Sequence, residues 1–155
     1  MKGDQRIIDL LNKQLAREYG AIIQYTVHAA TVANWGYDKL AGYMMARAKQ
    51  EMGHADKLQD RILFLDGVPA VAQVPAFTGA TVPEMMSQDL KGEMEARAAY
   101  NEIVKLCIQI GDNGTRMIAE ANLAEEENHI NDIESAQREI GDIKLPGYLA
   151  EQMEE

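Results

Sequence analysis

Apolar residues recur along most of the chain with the four-then-three spacing of amphipathic helices. One seam runs through Leu11, Leu15, Glu18, Ile22, Tyr25 and Ala29, and a second through Leu40, Met44, Arg47, Glu51, His54, Leu58 and Leu65. A third passes through Met86, Leu90, Glu93, Arg97, Tyr100, Val104 and Cys107, and a fourth through Asn122, Glu126, His129, Ile133, Ala136 and Ile140. Breakers separate them: NWGY at Asn34–Tyr37, an irregular stretch at Asp66–Pro83, GDNG at Gly111–Gly114 and LPG at Leu145–Gly147. Short, long and short connections predict an all-α four-helix bundle with one long crossover, built as one domain over residues 1–155.

Each seam carries a glutamate near its middle, where a bundle would place leucine. The anomaly repeats: adding 75 to Glu18, Tyr25, Glu51 and His54 gives Glu93, Tyr100, Glu126 and His129. Two helical hairpins follow, each giving Glu from its first helix and Glu-x-x-His from its second. In an antiparallel hairpin, residues equally far from the turn lie level. Glu18 and His54 are centred on Gly36, and Glu93 and His129 on Gly111, both in predicted turns. All six groups therefore fall at one height.

Unpaired in a core, each such charge would cost roughly several kcal/mol. Residues three apart share a helical face, so each Glu-x-x-His directs both groups at one point. Two divalent cations would cancel four carboxylate charges and leave neutral imidazoles as nitrogen ligands. Mostly oxygen donors with one nitrogen per metal suit iron or manganese better than structural zinc. Glu from two helices and Glu-x-x-His from two others is the established pattern of ferritin-like dimetal proteins. Glu125, four before His129, is an alternative to Glu126.

Composition narrows the function classes. A net charge of −10 opposes a nucleic-acid backbone or an anionic membrane as partner and suits a protein that attracts cations. The lone Cys107 excludes an intramolecular disulfide framework and a CxxC metal ribbon, and reads as a small buried residue. MKGDQRIIDLL lacks the pattern of a signal peptide and no apolar run approaches a membrane span, so a cytoplasmic protein is expected. His28 reads as a packed or interface histidine. Tyr25 and Tyr100 lie two turns past their glutamates, and Tyr100 reads as core packing with a satisfied hydroxyl.

With these residues in place, the chain resembles the bacterioferritin family from Met1 to about Met153. MKGD, NWG at Asn34, EMGHADKL around Met52, RILFLDGVP from Arg61, EEENH before Ile130 and PGYLAEQM in the tail carry the resemblance. It implies a ferritin-like bundle with a short C-terminal fifth helix. Twenty-four such subunits form a cage that oxidises Fe(II) at an intrasubunit di-iron ferroxidase site and stores ferric mineral. Glu18, Glu51, His54, Glu93, Glu126 and His129 would be the iron ligands, with Glu51 and Glu126 bridging and Tyr25 beside the site. Met52 would be the axial ligand of a b-type haem shared between two subunits of a homo-oligomer, with a small ferredoxin as electron donor. From the residues alone, Met52 sits about 100° round the helix from Glu51, pointing away from the bundle centre, where packing is the commoner role.

This chain also departs from the family pattern. Ala46 and Gln50 stand where members often carry a histidine and an acid linked to iron on the inner cage surface. Asp132 stands where many have tryptophan, and Asn131 and Arg138 replace acids of the family's iron-uptake pore, although Asn34 and Asp66 suit such a lining. Two rival readings remain open: a rubrerythrin-like peroxidase, opposed by the lack of paired cysteines, and a non-catalytic scaffold subunit co-assembling with a second subunit type, opposed by the intact ligand set.

Overall fold

Four helices form where the apolar seams predict them: α1 (Gln5–Asn34), α2 (Asp38–Phe64), α3 (Val82–Ile110) and α4 (Asn113–Glu151). The computed structural model describes residues 1–153, and no strand occurs among them. Side-chain oxygens satisfy the first free amides of three helices: Asp4 accepts from Arg6, Thr81 from Glu84 and Asp112 from Thr115. The turns between α1 and α2 and between α3 and α4 pass through Gly36 (φ 87°) and Gly111 (φ 79°). Only glycine enters that left-handed region without strain, which is why the chain turns at these two residues.

The long connection, residues 65–81, folds back along α1. The Ala70 amide donates to Asn12 Oδ1 (2.7 Å), the Val74 amide to the Ala16 carbonyl (2.9 Å) and the Phe77 amide to Gln24 Oε1 (3.0 Å). A Cβ on Gly20 would stand 2.4 Å from the Val74 carbonyl oxygen, so glycine there lets the crossover lie flat. This return makes α3 antiparallel to α1, and α4 antiparallel to α2. α4 breaks at Lys144 (φ 66°, ψ 157°), and the helical turns at 145–151 match the expected fifth helix. Pro146 then sits in the first turn of the new stretch, where its missing amide hydrogen costs nothing.

The core is split in two. Ile7, Leu11, Leu15, Leu58, Ile62, Ile103 and Cys107 fill one end, and Val32, Leu40, Met44, Met85, Met86 and Ile133 the other. Between them lies a buried polar layer. On α3 the buried face runs through Asp89, Glu93, Ala96, Tyr100 and Ile103. The expected seam residue Arg97 is instead exposed and paired with Glu127 at 2.8 Å, because Ala96 lies on the inner side of the same turn. Among the described residues no helix is long and apolar enough to cross a membrane.

Candidate metal centre

α2 and α4 face each other across a ladder of polar contacts rather than an apolar seam. Its rungs are Arg47–Asp132 (3.0 Å), Glu51–His129 (3.1 Å), His54–Glu126 (3.3 Å), Lys57–Asn122 (3.1 Å) and Arg61–Asp112 (2.8 Å). Glu18 of α1 and Glu93 of α3 close the middle rungs from the other two helices. The six expected residues come together as two overlapping sets: Glu18, Glu51, His54 and Glu126, and Glu51, Glu93, Glu126 and His129. Within each set, one donor atom per residue lies within 4.8 Å of every other. Glu51 and Glu126 belong to both sets, and all six side chains are buried. Met52 stands apart, 44% exposed on the outer side of α2.

His54 Nδ1 pairs with Glu51 Oε2 at 3.0 Å, but the other facing donor atoms converge without satisfying one another. His129 Nδ1 lies 3.1 Å from Glu51 Oε1, 3.1 Å from Glu126 Oε2 and 3.3 Å from Glu93 Oε1, yet aligns with none as a hydrogen bond. Both Glu126 oxygens and Glu51 Oε1 are likewise buried without a hydrogen-bond partner. Lone pairs gathered round shared points in this way fit a pair of cations.

Protons hold the cluster together when cations do not. Burial pushes Glu18 up to about 7 and Glu126 up to about 8, against the pull of the histidines. Burial acts on Glu51 too, but His129 and His54 outweigh it and hold it down at about 2. Burial opposes charge on His129, but Glu126, Glu51 and Glu93 carry it up to about 11; Glu126, Glu18 and Glu51 likewise raise His54. Cation binding must therefore release protons.

The tyrosines reach across between hairpins. Tyr25 of α1 donates to Glu93 of α3, and Tyr100 of α3 donates to Glu18 of α1, both through short contacts. Burial, then the facing carboxylate, raises both phenols well above their ordinary range, so they remain donors. Tyr100 is buried in the core with its hydroxyl satisfied, as its reading requires, and it is also the counterpart of Tyr25. The 75-residue offset that pairs the two was the signal. It also pairs Gln14, which donates to Glu18 at 2.8 Å, with Asp89, which pairs with His28 Nδ1 at 3.0 Å. His28 is fully buried, as its reading as a packed residue requires.

A cavity of about 100 Å³ between α1 and α3, roofed by Val74, Pro75 and Phe77 of the crossover, opens onto Glu18, Glu51, Glu93 and Glu126. A larger one of about 530 Å³ lies towards the end of the bundle, walled by Leu40, Tyr43, Met86, Asp132 and Tyr148, with Tyr25 and Asp89 lining both.

Comparison with known proteins agrees with this geometry. The family model described as a ferritin-like domain matches residues 8–142. The bacterioferritin of Brucella melitensis is 40% identical over 136 residues, covering 87% of this chain and 84% of its own. A bacterial ferritin of Pseudomonas aeruginosa is 38% identical over 154 residues, covering 99% of this chain and all of its own. The chain belongs to the bacterioferritin family. The bacterioferritin of Rhodobacter capsulatus, in a structure described as having a metal-free dinuclear site and haem iron in a crystallographic special position, superposes with a TM-score of 0.98 at 34% identity. That match covers 100% of this chain and 98% of the other.

Against the bacterioferritin pattern, two of the departures, Asp132 and Gln50, acquire a shared partner. Asp132 accepts from the buried Arg47 at 3.0 Å, and Arg47 also donates to Tyr43 (2.6 Å) and Gln50 (2.9 Å). Asp132 is therefore the counter-ion of a guanidinium next to the site. Glu126, not Glu125, enters the cluster; Glu125 sits outside it, 3.0 Å from the outer nitrogen of His54. Iron storage is the function class that bacterioferritin membership supports.

Proposed function

We propose that the chain is a ferroxidase subunit that oxidises Fe(II) to Fe(III) and stores it as ferric mineral, limiting free iron. The observation that carries this is the buried six-residue cluster with unpaired donor atoms on Glu51, Glu126 and His129. Glu18 and His54 would hold one iron, Glu93 and His129 the other, and Glu51 and Glu126 would bridge them. Tyr25 and Tyr100 fix the outer carboxylates Glu93 and Glu18. Two ferrous ions, the substrate, lose one electron each; dioxygen accepts the pair with two protons to give hydrogen peroxide, or peroxide accepts it to give water. Carboxylate oxygens favour the more highly charged product ion, and the α1–α3 cavity offers an approach to the site.

Met52 would ligate haem through its thioether. Its exposure leaves the sulfur able to meet that of a second subunit, and a Cβ on the adjacent Gly53 would meet nothing within 4 Å. Haem bound there supplies electron transfer. This reading extends to haem-bridged dimers in a twenty-four-subunit cytoplasmic cage, served by a small ferredoxin. Replacing Glu18 and Glu93 together with alanine is expected to abolish rapid Fe(II) oxidation in stopped-flow absorbance. Unchanged rates would refute the assignment, as would peroxide turnover without mineral.

A further inference from the structure

The two halves of the cluster are related by the 75-residue offset but stand in unlike surroundings. On the His54 side, Glu125 meets the outer ring nitrogen Nε2 at 3.0 Å and Gln14 steadies Glu18 at 2.8 Å. On the His129 side, Gln50 occupies the position that corresponds to Glu125. It accepts from Arg47 at 2.9 Å, and His129 Nε2 is left buried without a partner.

The second inequality is charge. Asn122, which donates to the Tyr100 hydroxyl at 3.0 Å, corresponds by the same offset to Arg47. A neutral amide on one side thus faces a guanidinium on the other, only 5% exposed and with Nε unpaired. Arg47 lies one turn before Glu51, at the end of the ladder that adjoins His129.

We propose that the two cation positions are unequal: the one framed by Glu18 and His54 binds a divalent ion tightly, and the one framed by Glu93 and His129 binds it weakly. This rests on the dimetal reading above. A carboxylate on the outer nitrogen of a ligating histidine fixes the ring and strengthens its donor atom, an effect typically of about 10–100-fold on affinity. A buried guanidinium repels an incoming dication, and at an effective dielectric of about 20 one such charge several ångströms away would, uncompensated, weaken binding by well over about tenfold. Three groups oppose this. Asp89, the buried counterpart of Gln14, puts a carboxylate one turn before Glu93 but is paired with His28 at 3.0 Å. Lys57 lies 3.5 Å from Glu125, and Asp132 lies 3.0 Å from Arg47. Lys57 and Asp132 are each about half exposed, so water screens them more than it screens Arg47.

The test is Co(II) titration of the metal-free assembled protein, followed by calorimetry and visible absorption. Two ions per subunit are expected, the first at least about tenfold tighter. Glu93→Gln should lose the weak phase and Glu18→Gln the tight one. Glu125→Gln, a change at a partly exposed site, should weaken the tight phase about tenfold, and Arg47→Gln should strengthen the weak phase while Arg47→Lys leaves it weak. A single phase of two equal ions would overturn the inequality and leave the dimetal reading standing. So would a tight phase that survives Glu18→Gln, or an Arg47→Gln effect equal on both phases. Failure to bind Co(II) at all would remove the dimetal reading itself.

Discussion

The first hairpin brings Glu18, Tyr25, Glu51 and His54 to the site, and the second brings Glu93, Tyr100, Glu126 and His129 in the same arrangement. Around these four positions the two diverge. Arg47 answers to Asn122, Gln50 to Glu125, Gln14 to Asp89 and Met52 to Glu127. The inner groups must converge on common points, and a change at any of them leaves a buried charge uncompensated. Groups one layer out contact only one side of the cluster and are free to differ. A symmetric set of donors can therefore sit in an asymmetric field, and Met52, outside the repeat, answers to no inner counterpart.

The largest effect expected from the shared layer is on stability against pH. In the metal-free protein Glu18 and Glu126 are raised from 4.5 to about 7 and about 8, so their stabilisation is complete below about 4.5 and lost as pH rises through those values. His129, raised from 6.5 to about 11, loses its contribution in the same direction over a higher range. Glu51, held at about 2, contributes fully above about 4.5 and loses that contribution only as pH falls towards 2, outside this window. The melting temperature of metal-free protein should therefore fall between pH 6 and 9, on the order of 10 °C. Saturating Co(II) should reverse the trend, because cations replace the protons. A flat metal-free profile in scanning calorimetry would mean that the two sets do not share protons as their geometry requires.

A smaller effect separates the hairpins. Tyr25→Phe and Tyr100→Phe each remove a donor from a buried carboxylate, costing about 1.5–3 kcal/mol in the metal-free state. Tyr100 also accepts from Asn122 Nδ2 at 3.0 Å, so its loss strands a second buried group and should cost about 1 kcal/mol more. Guanidinium unfolding of the two variants measures the difference. A costlier Tyr25→Phe would mean that Asn122 does not depend on the Tyr100 hydroxyl.

These differences also mark what the sequence could carry. Helical periodicity and the offset were enough for the bundle, the turns at Gly36 and Gly111, and the six clustered side chains, because each depends on spacing within one helix or on distance from one turn. The α3 seam slipped by one residue, from Ala96 to Arg97, because both lie near the face boundary and only packing against α1 and α4 separates them. The Tyr25–Glu93 and Tyr100–Glu18 crossings depend on how α1 docks on α3, which the crossover sets and no single-helix pattern encodes. Burial of Arg47 was legible as a seam position, but its partner Asp132 was not, being 85 residues away on α4. Met52 carries no geometric signal at all, since its proposed partner lies on another subunit.

The smallest test asks whether the two turns are as equivalent as the donors they align. Gly36 and Gly111 have φ of 87° and 79°, and a Cβ on either would meet nothing within 4 Å. The cost of alanine at each is then the left-handed backbone alone, about 1 kcal/mol, or roughly 2–4 °C in a chain of this size. Equal losses in Gly36→Ala and Gly111→Ala would show that the turns are interchangeable parts of one repeated hairpin. A loss confined to Gly111→Ala would instead point to its place as the left-handed cap of α3, since Gly36 lies one residue beyond the cap of α1. Equivalence would then hold for the donor set and fail at the turns that level it.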